Sequence, residues 1–176
     1  MSTLPNLSRL TLKGFKTVAF MSEETLCFTS NVYLDGKLIG EAANEGCGGC
    51  TFVHFVSPEA NASAQAFAKT VNPSDVEGWG FLSEAGFTFD CLVDVVVGFE
   101  QTKKDKARLI KKTRKVALEK TSFISEDCKP GQIRKFATLT TDLNRASRLA
   151  SASAFPGFKC FVSDMTDEQI ISHFSL

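Results

Sequence analysis

An α+β fold is expected from three features: a tight antiparallel hairpin near the start, a glycine-dense corner after it, and helix-period segments grouped behind the first strands. The hairpin is Tyr33-Leu34-Asp35-Gly36-Lys37-Leu38-Ile39-Gly40. Asp-Gly between two apolar runs tolerates the positive φ that a type I′ turn needs. The corner is Glu45-Gly46-Cys47-Gly48-Gly49-Cys50, where backbone can approach closely.

Residues 9–20 read as a strand, with Gly14 marking a bulge. In residues 25–34, Leu26, Phe28, Ser30, Val32 and Leu34 fall on one face of a second strand. The hairpin returns through Lys37 to Asn44, and Cys50 to Val56 forms a further strand. Ser57-Pro58 opens a helix, with a capping hydroxyl and proline at the first helical position, and alanine-rich residues 60–71 continue it. Asn72-Pro73-Ser74-Asp75 breaks that helix, and residues 75–87 are irregular or a short helix. Thr88 caps a long helix over 89–118, apolar at first and basic later, which Gly98 can divide into two.

Residues 121–125 and 133–140 read as a second strand pair joined by Lys129-Pro130-Gly131. Asp142 caps a helix through Ala154, residues 158–162 form a short strand, and Thr166 with Gln169 makes the capping box of a last helix over 167–174. The expected order is β-β-β-α-(α)-α-β-β-α-β-α. An N-terminal antiparallel sheet of three or four strands carries helices on one face, and a β-β-α-β-α portion follows. The expected organisation is a single domain over 1–176, divisible into sub-parts 1–87 and 88–176.

At 176 residues the chain can bury a substantial core without disulfides or metal. Twenty Lys and Arg balance twenty Asp and Glu, which argues against wholesale coating of nucleic acid but leaves room for a local basic patch. Sixteen Phe stand against one Trp and one Tyr, so many Phe belong to the core. The six cysteines lie mostly in apolar runs, as small buried hydrophobes do. Met1 to Asn6 lacks the charged start and apolar block of a secretory signal, and no apolar run approaches the ~20 residues of a membrane span. A cytoplasmic protein with reduced thiols, and no membrane partner, is expected.

Lys13-Gly14-Phe15, Asp35-Gly36-Lys37 with Gly40, and the corner Glu45 to Cys50 together resemble a group of uncharacterised small proteins of tailed bacteriophages. That group shows a hairpin like this one, a glycine-cysteine corner and an aromatic strand. Residues 89–97, Lys115 to Ile124 and Phe155-Pro156-Gly157 to Asp164 continue the similarity. Cys47 departs from it, since that position is often His or another polar residue in the group. The resemblance implies phage origin and the cytoplasm of an infected bacterial cell, and carries no activity with it.

The basic run is the strongest electrostatic signal. Residues 101–120 hold nine Lys or Arg against two acids, a local excess of seven positive charges in a neutral chain. On a helix, Lys104, Arg108, Lys111 and Lys115 share one face, with Lys112 beside them. Such a face can contact phosphates or an acidic protein, or merely solvate a helix end. Arg134, Lys135, Arg145 and Arg148 extend the patch if the fold gathers them. Trp79, flanked by Gly78 and Gly80, is either a contact residue of the kind favoured at interfaces or a packing plug.

Cys47 and Cys50 form a C-x-x-C with His54 nearby, the minimum of a zinc or dithiol site, but the pair lies between strands rather than opening a helix. A glycine turn with a packed Cys50 is preferred over the metal reading. His54 and His173 are the only histidines, and neither has a nucleophile or carboxylate beside it in a known arrangement. No phosphate-binding loop, dinucleotide fingerprint or paired-carboxylate motif is present.

Three functions follow as expectations. The first is a non-enzymatic phage accessory protein that binds a host or defence component through the basic helix and the Trp79 loop, without a cofactor. The second is a nucleic-acid or nucleotide-phosphate binder using the same helix, and the third a small thiol or zinc protein centred on Cys47 and Cys50.

Overall fold

The computed structural model describes residues 7–72, 76, 87–119, 122–135 and 155–174. The fold is α+β, and the chain divides into two compact units, Met1–Gln101 and Thr102–Leu176.

In the first unit, β1 (Leu10–Thr17), β2 (Phe28–Leu34), β3 (Lys37–Asn44) and β4 (Phe52–Phe55) form an antiparallel meander in sequence order. The hairpin turn forms where expected. Asp35 has φ 51° and Gly36 φ 78°, the two positive angles of a type I′ turn. The arginine fork of Arg9 clamps it, with Nε and an Nη each donating to the Asp35 carboxylate at 2.7 Å. The bulge at Gly14 is also present: the β1–β2 register slips between Lys13 and Lys16. β1 ends earlier than residue 20, because Ala19–Met21 winds into a 3-10 turn.

Alternation in β2 holds: Phe28, Ser30, Val32 and Leu34 are buried and Thr29 is exposed. Gly40 in β3 serves close strand approach, since a Cβ there would lie 2.5 Å from the His54 carbonyl oxygen.

Ser57 Oγ accepts the Ala60 N–H at 3.2 Å and starts α1 (Pro58–Ala68). α2 (Phe89–Glu119) is one helix of 31 residues. Gly98 does not divide it. A glycine inside a helix costs about 1 kcal/mol relative to Ala. The turns before it bury Phe89, Leu92 and Val93 completely, and each such side chain contributes roughly 1.5–3 kcal/mol. Those residues join Phe28, Val32, Ile39, Ala64 and Phe67 in the core of this unit.

In the second unit, β5 (Ser122–Ser125) is the centre of a three-stranded antiparallel sheet, between β6 (Arg134–Lys135) and β7 (Phe158–Phe161). All four residues of β5 are buried, so the strand is covered on both faces. Ile124 packs with Val162, Met165 and Ile170 in one cluster, and Phe123 with Phe161, Phe155 and Phe158 in another. The capping box of α3 (Asp167–Phe174) forms as expected. The Thr166 N–H donates to Gln169 Oε1 at 2.8 Å, and the Gln169 N–H to Thr166 Oγ1 at 3.3 Å.

The expected helix over 142–154, the strand residues 136–140 and most of the 75–87 segment lie outside the described residues. No described helix is long and apolar enough to cross a membrane.

Candidate binding surface

The basic half of α2 is exposed along one face. Successive helical residues rotate by about 100°, which places Thr113 roughly opposite Lys104. Thr113 is buried and Ile110 packs on the Ile124–Ile170 cluster, so among the described residues these two mark the inward side of this half. Arg108, Lys111, Lys112 and Lys115 are exposed on the outward side, and Lys104 is half-exposed there. At about 1.5 Å per residue, Lys104 to Lys115 forms a cationic stripe roughly 16 Å long. Arg108 meets Asp105 at 3.5 Å, a contact exposed at both ends and correspondingly weak. Among the described residues, neither Lys111 nor Lys112 is held by an ion pair. Arg114 is set apart from the stripe by its 2.5 Å bond to Asp167 of α3.

Other predicted residues fall elsewhere. Arg134 is engaged with Asp127 and lies over the Phe155 ring, 5.5 Å from its centroid. Trp79, Arg145, Arg148 and the Lys135 side chain lie outside the described residues. Cys47 and Cys50 are exposed free thiols, so Cys50 is not packed as expected, and His54 sits on β4 opposite Glu41. Among the described residues no group of three His, Cys, Asp or Glu is placed to hold a metal ion, so Cys47, Cys50 and His54 are not assembled into one. His173 is tied to the 129–132 turn: its Nε2 lies 2.9 Å from the Gln132 carbonyl oxygen, and its own carbonyl accepts the Gly131 N–H.

The glycine corner is an organised turn. Gly46 and Gly48 have φ of 89° and 85°, which side-chain-bearing residues rarely adopt. The Gly46 carbonyl oxygen accepts the N–H groups of Glu23, Glu24 and Thr25. Asn44 ties the corner together. Its Oδ1 accepts from the Thr25 hydroxyl at 2.8 Å and the Gly46 N–H at 2.9 Å. Its Nδ2 donates to the Gly49 carbonyl at 3.0 Å and to Thr51 Oγ1 at 3.3 Å. Thr51 in turn donates to Asp94 Oδ1 of α2 at 2.5 Å. Burial raises the Asp94 carboxyl above its ordinary value, against the Thr51 hydrogen bond, and the nearby Asp90 charge adds to the rise. Sequence reading missed this site. The available signal was Asp94 itself, a lone acid in the apolar run from Leu92 to Val97.

A second missed feature belongs to the other unit. Cys128 and Cys160 line a cavity of about 520 Å³ between β5, β7 and α3. Burial raises the Cys128 thiol, but the Ser125 hydroxyl, the Ser125 N–H and the Arg134 guanidinium outweigh it and bring the thiol below its ordinary value. Burial, then Asp164, pushes Cys160 up. These opposite shifts favour the nucleophilic thiolate form at Cys128 and disfavour it at Cys160.

No family model, no curated protein and no solved structure matches this chain.

Proposed function

We propose that this chain is a non-enzymatic binding protein of tailed-bacteriophage origin. It holds an acidic surface of a host or defence protein against the basic half of α2, in the cytoplasm of the infected cell. The observation that carries this reading is the stripe of exposed Arg108, Lys111 and Lys115 with half-exposed Lys104, and Lys112 beside it, on a helix whose Ile110 packs on the Ile124 cluster and whose Thr113 is buried. A cationic stripe on a chain of zero net charge is a local, directional feature, and such charge steers association with an oppositely charged patch. The phage context comes from the hairpin and corner, residues 35–50.

The test is a pull-down of the tagged protein from bacterial lysate, with and without nuclease, eluted in steps of salt. It is run in parallel with a Lys111→Glu/Lys115→Glu variant. A protein retained after nuclease and bound at least about tenfold more weakly by the variant supports the reading. A protein retained equally by both chains overturns the assignment of the stripe. Recovery of nucleic acid alone, released steeply with salt, replaces a protein partner with a phosphate backbone.

A further inference from the structure

The relay from the glycine corner to α2 has a direction. Asn44 spends both amide protons, on the Gly49 carbonyl and on Thr51 Oγ1. Thr25 spends its single hydroxyl proton on Asn44, and Thr51 spends its own on Asp94 Oδ1. Of these protons only that of Thr51 reaches Asp94, and none remains for that carboxylate's second oxygen. Among the described residues Asp94 has no ion pair and no other hydrogen-bond donor. The charge nearest to it in effect, Asp90, has the same sign.

This carboxylate lines a cavity of about 350 Å³ within the first unit, at the small end of the range for ligand pockets. Leu26, Phe28 and Val97 supply an apolar wall, and Gly98 leaves its side open, with no heavy atom within 4 Å of the position a Cβ would take. A half-buried carboxylate with a fixed orientation, an unfilled oxygen and an apolar wall selects a cationic head on a short apolar body.

We propose that this cavity is a binding site for a small organic cation, an alkylammonium or amidinium group, with Asp94 as its counter-ion. Asn44 and Thr51 are the positioning residues that hold the carboxylate in place. An anion would meet Asp94 and Asp90, and a bare metal ion lacks a set of three ligating side chains among the described residues. The site is independent of the basic stripe.

The experiment titrates the full-length protein with n-butylammonium and, separately, with butan-1-ol as its neutral isostere, following the backbone amides of Gly46, Gly48 and Gly49 by two-dimensional NMR. Saturable shifts with butylammonium are expected, with a dissociation constant on the order of millimolar and at least about tenfold weaker binding of the alcohol. Asp94→Asn keeps an acceptor for Thr51 while removing the charge, and the same loss of about tenfold is expected for butylammonium binding to it. Three results would overturn the proposal: equal binding of the alcohol, undiminished binding by Asp94→Asn, or no saturable shift up to about 50 mM cation. The alcohol comparison is made on the unmodified chain, so it stands whether or not the variant folds.

Discussion

One helix supplies two opposite environments. From Phe89 to Val97, α2 is core: Phe89, Leu92 and Val93 are fully buried, and Val95, Val96 and Val97 nearly so. From Lys103 to Lys115 the same helix offers solvent mostly charge, and only Thr113 among residues 101–115 is buried. The backbone geometry is common to both halves, so what differs is the side chains and what packs on them. The first half is held by its apolar surface. Among the described residues of the second, Ile110 packs on the Ile124 cluster, Thr113 is buried and Arg114 pairs with Asp167, while Lys111 and Lys112 are exposed on the outward side.

That contrast can be broken most severely from the apolar side. Phe89→Ala is expected to cost about 3–5 kcal/mol, because it removes a fully buried ring from a packed cluster. Urea denaturation measures this as a lowered midpoint, and a loss below 1 kcal/mol would show that the first half is not core.

A smaller effect comes from Asp94, one of two half-buried acids in the apolar half beside Asp90. Asp94 titrates above its ordinary value in the folded chain, so folding takes up a proton. Its contribution is fully present below the unfolded value of 3.8 and is lost as pH rises through the folded value. Asp94→Asn keeps the Thr51 hydrogen bond without that titration. The variant is expected to be more stable than the unmodified chain at pH 7, with the gap closing on acidification toward pH 4. Urea midpoints across that interval decide it, and a gap independent of pH would remove Asp94 from the account.

The smallest effect belongs to the basic half. Lys111→Glu is expected to change stability by less than about 0.5 kcal/mol, since the side chain is exposed and not ion-paired among the described residues. A larger loss would make Lys111 a structural residue and sharpen the stripe to Arg108 and Lys115.

Legibility followed sequence distance. Asp35-Gly36, Ser57-Pro58 and the Thr166–Gln169 box were readable because each is decided by residues at most three positions apart. The alternation of β2 was readable because a strand's side chains change face at every residue. Gly98 was read as a point where the helix could divide because local propensity is all a linear reading weighs, whereas burial on the preceding turns keeps the helix whole. The Thr51–Asp94 bond joins residues 43 positions apart, and nothing local in either marks the other. For the basic stripe, the composition was legible, but its outward orientation rests on where Ile110 and Thr113 pack.

The sequence by itself determined the fold class, the turn at Asp35-Gly36 and the caps at Ser57 and Thr166. The turn and the caps follow from short-range sterics and hydrogen bonding within a few residues, and the fold class from the grouping of strand-period and helix-period segments. Only the tertiary structure decided that α2 runs unbroken past Gly98, that Asn44 donates to Thr51 and Thr51 to Asp94, and that Cys128 and Cys160 share a cavity while shifting in opposite directions. These depend on contacts across long loops, where burial and the supply of donors are set by partners that sequence proximity does not reveal.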